Sequence, residues 1–266
     1  MNTIGRMRQI GYASMDLVPP VPENRVLPTD PPRANDYDSF AEAYTAESDA
    51  GIQNAYYERP AILVLAGDVT GRRILDAGCG SGPLFAALRD RGAIVTGIDT
   101  STGMLELARR RLGDGADLQV ADLGSPLPFP DGAFDDVVAS LVLHYLEDWG
   151  PTLAELRRVL TPGGRLIVAV DHPFAIHGIQ RLAGRRTNYF ATYSWTEEWT
   201  MGGQTALMSF WNRPLHVMTD AFTAAGFRIS VISEPQPMPA ARELFPDEFR
   251  LLATSPSFLF FVLHAD

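Results

Sequence analysis

The sequence predicts an α/β protein built on a doubly wound, mainly parallel seven-stranded sheet, and three observations carry that expectation. Between residues 72 and 171, apolar runs of strand length alternate with helical stripes, the signature of parallel strands joined by right-handed crossovers. The run Ile74-Leu75-Asp76-Ala77 leads into Gly78, Gly80 and Gly82. A second run, Val95-Thr96-Gly97-Ile98, ends in Asp99.

The elements follow in order. Residues 1–35 hold Pro19, Pro20, Pro22, Pro28, Pro31 and Pro32 with little periodicity, so an extended or disordered arm is expected, free or wrapped on a neighbouring subunit. Residues 36–66 read as two helices. Tyr37, Phe40, Ala41 and Tyr44 recur at i, i+3, i+4 and i+7, and Tyr56 to Ala66 follows Gly51. Strands are expected near 73–77, 94–99, 117–121, 134–140 and 165–171. Met104, Leu105, Ala108 and Leu112 form one stripe behind a Thr100-Ser101 N-cap, and Leu153, Leu156 and Leu160 form another. Residues 172–212 carry Phe174, Tyr189, Phe190, Tyr193, Trp195, Trp199 and Trp211 without a clean period. That stretch is long for a plain connection, so it reads as an inserted aromatic cap over a crevice. Pro214 opens a helix through Ala225, closed by Gly226. Strands near 227–233 and 257–264, with a short helix around 240–252 between them, complete the sheet. The organisation expected is an arm over 1–35 and one domain over 36–266, with a helical lid at 36–66 and the cap at 172–212.

Composition narrows the partners. At 266 residues and 46% hydrophobic content the chain can bury one large core, with or without a cap. A net charge of −10 argues against nucleic acid, because phosphate contacts need clustered cations. The runs Arg109-Arg110-Arg111 and Arg185-Arg186 are short, and the first reads as a solvated helix face. No apolar run reaches about 18 residues and no secretory leader stands at the start, so a cytoplasmic protein with no membrane partner is expected. The single Cys79 fits a reducing compartment and reads as a small packing residue.

A strand entering a glycine-rich turn lets a ligand approach the backbone, since glycine has no Cβ and adopts positive φ. An acid at the end of the next strand faces the same crevice, where its two oxygens accept both hydroxyls of a ribose. The spacing G-x-G-x-G departs from the G-x-G-x-x-G of dinucleotide sites, and no second phosphate-binding turn appears. A nicotinamide-dependent reductase is therefore disfavoured. With Asp76 ahead of the glycines, the turn resembles motif I of the class I S-adenosylmethionine-dependent methyltransferases. The likeness continues through Asp99, Ala121-Asp122-Leu123, Phe134-Asp135-Asp136-Val137-Val138 and Leu156-Arg157-Arg158-Val159-Leu160-Thr161-Pro162-Gly163-Gly164-Arg165-Leu166. It is dense over residues 37–171 and closest to the small-molecule, methyltransferase type 11 or ubiquinone-biosynthesis-like group.

That resemblance implies a Rossmann-like fold, S-adenosylmethionine as cofactor, S-adenosylhomocysteine as product, and no metal. It assigns cofactor contacts to Asp76, Gly78, Cys79, Gly80, Asp99 and Thr100, with Met104, Asp122, Leu123 and Leu141 beyond them. Tyr37 and Tyr44 match a "Y-D-x-x-A-x-x-Y" segment that closes over the cofactor, and their faces would attract a sulfonium by roughly 0.5–2 kcal/mol. Gly82 reads either as a cofactor residue or as a close helix-to-strand contact.

Ligands of open parallel sheets sit at the C-terminal strand ends. Asp135 and Asp136 stand at the opposite edge and point to opposite faces, so they are not a catalytic pair. His144 and His172 both follow strand ends and are the two candidates for a catalytic base, with an unperturbed pKa near ~6.5. Tyr145, Phe174, Trp195 and Trp199 are the expected substrate contacts. No second acid near Asp171 suggests magnesium, and His177, His216 and His264 lack metal-ligand spacing. The function expected is in-line methyl transfer to a small, apolar or aromatic metabolite, by a monomer or homodimer. A non-methylating cyclisation or rearrangement with the same cofactor is the alternative. Whether oxygen, nitrogen or carbon accepts the methyl is not encoded in these motifs.

Overall fold

The computed structural model describes residues 34–266. The expected N-terminal arm lies, apart from Ala34 and Asn35, outside the described residues. A short 3-10 turn at Tyr37–Ser39 leads into α1 (Ala41–Ala50), and a π-helical turn at Asn54–Glu58 runs into α2 (Arg59–Ala66). The alternating body then comprises β1 (Arg73–Ala77), α3 (Pro83–Asp90), β2 (Ile94–Asp99), α4 (Thr102–Leu112), β3 (Asp117–Val120), β4 (Phe134–Ser140), α5 (Gly150–Val159) and β5 (Leu160–Asp171). After it come α6 (Pro173–Leu182), β6 (Tyr193–Met201), β7 (Gln204–Asn212), α7 (Leu215–Ala224), β8 (Phe227–Ser233), α8 (Ala241–Leu244), α9 (Pro246–Leu252) and β9 (Phe258–Ala265).

Seven strands form one sheet in the order β3-β2-β1-β4-β5-β9-β8. The first five are parallel, and β9 runs antiparallel to both β5 and β8. The mainly parallel, doubly wound sheet expected from the sequence is thus what the chain forms. Side chains alternate across it: Ile74 packs with Ile62, Phe85 and Leu88 on one face, while Leu75 and Ala77 pack with Leu153, Leu156 and Phe222 on the other. Burying both faces accounts for the near-continuous apolar runs of β1, β4 and β5.

The N-cap of α4 falls where the sequence puts it, with the Ser101 hydroxyl accepting from Met104 N at 3.0 Å. Other boundaries differ. β5 starts at Leu160, five residues before the expected Arg165, so Leu160 belongs to the sheet and not to the α5 stripe. The helix near 240–252 is broken into α8 and α9, with Pro246 opening the second.

The largest difference is in residues 172–212, where a helix precedes a β6–β7 hairpin turning on Gly202 and Gly203, both at positive φ (57° and 79°). Trp195, Glu197, Trp199 and Met201 do alternate along β6. A third cluster, of Phe40, Ile176, Trp195, Met208 and Phe210, joins this hairpin to α6 and the N-terminal helices.

Asn35 acts as an extra rung on β7: its N donates to Leu207 O at 2.9 Å, and its side chain exchanges hydrogen bonds with Ser209 at 3.0 and 2.8 Å. The basic run on α4 is more than a solvated face. Arg111 reaches Asp49 at 2.6 Å and Arg110 reaches Glu42 at 3.3 Å, tying α4 to α1. No described helix is long and apolar enough to cross a membrane.

Candidate functional site

The glycine turn between β1 and α3 is held from below by β2. Gly78 N and Cys79 N both donate to Ile98 O, at 2.8 and 2.9 Å, and Gly80 N donates to Asp99 Oδ2 at 2.9 Å. Asp99 Oδ1 accepts from Ser101 N at 2.9 Å. The acid that ends β2 is therefore clamped to the turn and to the start of α4 at once.

The glycines have separate reasons. Gly80 has φ +54° and nothing within 4 Å of where a Cβ would stand, so it opens on the crevice. Gly82 has φ +79°, and its Cβ would meet Leu112 at 2.9 Å and Ala108 at 3.3 Å, which makes it a packing contact of α4.

A cavity of about 270 Å³ opens at these strand ends. Its wall includes Asp76, Gly78, Cys79, Gly80, Asp99, Thr100 and Met104, then Asp122, Leu123 and Leu141, and finally Tyr37 and Tyr44. Asp38 Oδ1 fixes the wall from outside by accepting from Ser101 Oγ at 2.6 Å and Gly103 N at 2.7 Å, where the amino end of α4 favours an anion. The Cys79 thiol is buried, and burial pushes its pKa well above the ordinary value, which keeps it protonated as a packing group.

Among the described residues one cation, Arg59, lines this cavity beside Glu58, Asp76, Asp99 and Asp122. Asp76 is 1% exposed and its Oδ2 has no partner. Burial, then the neighbouring Glu58 and Asp99 carboxylates, raises it to about 7. Glu58, on the π-helical turn, is equally buried. It accepts a hydrogen bond from the Ser140 hydroxyl, and burial raises it to about 7. Burial also raises Asp99, against the hydrogen bonds from Ser101 and Gly80 that lower it. The cation at this wall is Arg59, whose Nη2 donates to Ser48 O at 3.1 Å.

A second cavity, of about 170 Å³, adjoins the first and shares Tyr44, Ser48, Asn54, Leu141 and Tyr145 with its wall. Trp195, Trp199 and Phe210 of the hairpin wall it, with His144 and Asp171 at its floor. Tyr44 stacks on Trp199 with ring centroids 6.3 Å apart, and the Tyr37 and Tyr145 hydroxyls are hydrogen bonded to each other. His144 Nδ1 lies 3.4 Å from Asp171 Oδ2, and neither ring nitrogen has a hydrogen-bond partner. Burial lowers His144 to about 3 and raises Asp171 to about 7, so near neutral pH the imidazole is uncharged while the carboxyl titrates.

Two expected site residues are elsewhere. His172 lines neither cavity: side chains alternate at the end of β5, so Asp171 faces inward and His172 faces Glu234, with Nε2 2.7 Å from Oε1. Phe174 is 66% exposed on the outer face of α6, opposite buried Ile176. Among the described residues no three His, Cys, Asp or Glu side chains cluster to hold a metal.

The family model described as a methyltransferase domain matches residues 75–168, which span the glycine turn, Asp99 and the β4 and β5 ends. A ubiquinone/menaquinone biosynthesis C-methyltransferase, UbiE, of Desulfotalea psychrophila is 34% identical over 182 residues, 62% of this chain and 70% of that one. This chain belongs to the class I S-adenosylmethionine-dependent methyltransferases. A demethylmenaquinone methyltransferase of Tropheryma whipplei is 37% identical over 123 residues, 46% of this chain and 51% of that one. The chain thus spans about half the length of several of the curated relatives it matches. An S-adenosylmethionine-dependent methyltransferase structure from Mesorhizobium loti superposes with a TM-score of 0.61 at 25% identity, covering 82% of this chain and 99% of that one.

Within this methyltransferase fold the sequence reading missed Glu58, Arg59, Asn54, Ser140 and Asp171 as wall residues. One signal for Glu58 existed: a lone charged pair, Glu58-Arg59, interrupts an otherwise apolar helix.

Proposed function

We propose that the chain binds S-adenosylmethionine in the first cavity and transfers its methyl group to a small, apolar or aromatic acceptor in the second. The adjacency of the two cavities, which share Leu141 and Tyr145 as wall residues, carries this reading, because a methyl group must cross from one ligand to the other without meeting water. The residues fit the cofactor's chemistry. Asp99 suits the ribose hydroxyls, and Asp122 and Leu123 suit the adenine. Asp76, with its orphaned oxygen, and Glu58 suit the cationic ammonium and sulfonium, while Arg59 suits the carboxylate. When bound, that cofactor supplies an electrophilic methyl group.

The chain's own part is orientation and exclusion of water. The N-terminal helices act as a lid and the β6–β7 hairpin as a cap, meeting where Tyr44 stacks on Trp199. Trp195, Trp199, Tyr145 and Phe210 hold an aromatic ring against the sulfonium side, and relatives named for menaquinone and ubiquinone biosynthesis favour a quinone-like ring. Such positioning supplies about 7–11 kcal/mol in the best intramolecular cases. Where the accepting atom carries a proton, the Asp171 carboxylate, once ionised above about pH 7, takes it. Asp171 has the higher proton affinity, and His144 stays neutral beside it.

The test is calorimetry followed by product analysis. S-adenosylhomocysteine is expected to bind and raise the melting temperature, and turnover is expected to add one methyl group to the acceptor. A melting temperature unchanged at saturating cofactor product would refute the reading. Turnover that rises with pH through about 7, flattened by Asp171→Asn but retained in His172→Ala, would place the proton acceptor at the inner face of β5.

A further inference from the structure

Residues 172–196 contain no aspartate or glutamate, in a chain whose net charge is −10, yet they hold Arg181, Arg185 and Arg186. The same stretch carries three of the most exposed large apolar side chains described: Phe190 at 73%, Phe174 at 66% and Leu182 at 52%. They share one surface. On α6, Phe174, Gly178 and Arg181 stand on one stripe with Leu182 beside it, and Ile176 and Gln180 are buried on the opposite side. Tyr189 bridges to the following loop, with ring centroids 6.1 Å from Phe174 and 5.4 Å from Phe190. Arg185 is braced by Gln180 Oε1 at 2.9 Å, and Arg181 and Arg186 are exposed.

Aromatic and aliphatic side chains in a contiguous exposed patch mark an interaction surface. Guanidinium groups around them, in a segment without an acid of its own and with Glu197 acting on Arg185 alone of the three, add a sign to it. Exposed rings that enter the headgroup boundary, flanked by cations that meet anionic lipid, form the pattern of an interfacial membrane element. Elsewhere the acidic surface is repelled by such a membrane, which would fix the orientation of the docked molecule.

We propose that the outer face of α6 and the loop through Phe190 dock this protein on an anionic lipid bilayer surface. The attachment is peripheral, and it revises the expectation of no membrane partner, which rested on the absence of a spanning segment. It does not depend on the methyl-transfer reading.

Sedimentation with vesicles of phosphatidylcholine, alone or containing about one third phosphatidylglycerol, tests it. The full chain is expected to sediment with the anionic vesicles, weakly or not at all with the neutral ones, and less at high salt. Arg181→Ser with Arg186→Ser should lower partitioning by about fivefold per arginine, and Phe174→Ser with Phe190→Ser by about tenfold or more. All four side chains are exposed, so melting temperature and S-adenosylhomocysteine binding should match the parent. Absence of vesicle binding overturns the proposal, as does anionic binding that survives both double substitutions. Self-association that Phe174→Ser abolishes, without vesicle binding, would assign the patch to a second copy of the chain. Salt-sensitive RNA binding in its place would assign it to a nucleic acid.

Discussion

Asp76 and Asp136 stand on adjacent strands and share a face of the sheet, two rungs apart, about 7 Å along the strand direction. Both are buried, at 1% and 0% exposure. Their surroundings are opposite. Asp136, at the start of β4, accepts Arg72 at 2.5 and 2.8 Å and Arg165 at 2.7 and 2.8 Å, so each oxygen meets two guanidinium donors. Asp76, at the end of β1, has an oxygen with no partner and two more carboxyls beside it. A buried charge is tolerable when paired, and when unpaired it neutralises or waits for a ligand. The amino edge of the sheet is thus closed chemically, and the carboxyl edge is left open.

The closed edge should give the largest effect. Asp136→Ala leaves two arginines facing an empty buried position, and breaking such a pair costs about 3–5 kcal/mol of stability. Chemical denaturation should report this, with S-adenosylhomocysteine affinity retained below the melting temperature. A loss under about 1 kcal/mol would mean that the edge is solvated and the contrast with Asp76 is false.

At the open edge the effect should move from stability to binding. Asp99→Ala is expected to weaken S-adenosylhomocysteine by roughly 1.5–3 kcal/mol in calorimetry, the scale of hydrogen bonds to a charged acceptor. Gly80→Val should be worse for binding than Gly82→Val. The first fills the crevice, whereas the second strikes Leu112 and should cost stability first.

The third expectation concerns pH. Glu58, Asp76, Asp171 and Glu197 are each raised to about 7 by burial. Unfolded, they titrate near ~4, so between about 4 and 7 the folded state binds more protons than the unfolded state. Stability of the ligand-free protein should therefore fall as pH rises across that window and level off above it. His144 opposes the trend, because burial lowers it to about 3 and the unfolded chain alone gains its proton below about 6.5. With four groups against one, melting temperature should be higher near pH 5 than near pH 7.5, by roughly a few degrees. Asp76→Asn should remove about a quarter of the fall while weakening cofactor binding. A rise over the same interval would show that these carboxyls are ionised and paired.

What was legible in the sequence follows the same division. The glycine turn and Asp99 are local features, in which a strand, a positive-φ requirement and an acid all lie within about 25 residues. Glu58 showed only as a charge in an apolar helix, and its role was hidden because its partner Ser140 lies 82 residues away on β4. His144 and His172 looked equivalent because the choice of face at a strand end depends on register with β9, which pairs Asp171 with Phe258. The hairpin was hidden because the adjacent Glu197 and Glu198 blur an alternation that the Gly202-Gly203 turn would otherwise have framed.

The smallest expected effect belongs to Asp135, the chain neighbour of Asp136 on the other face of β4. Its carboxylate accepts Arg73 Nη2 at 2.7 Å and Arg73 N at 2.9 Å, and the Arg73 guanidinium holds its pKa below the usual carboxylate range. The side chains are 28% and 46% exposed, so water already screens the pair. Asp135→Asn keeps an acceptor for the backbone N–H and removes only the charge. The melting temperature should drop by no more than about 2 °C at neutral pH. Because the folded pKa is depressed, that contribution is present above about pH 4 and is lost as pH falls through the lower folded value. Parent and variant should therefore converge in acid. A drop as large as that of Asp136→Ala would mean that the two faces of β4 are equally dry at this edge, and that adjacency in sequence, not burial, sets the cost.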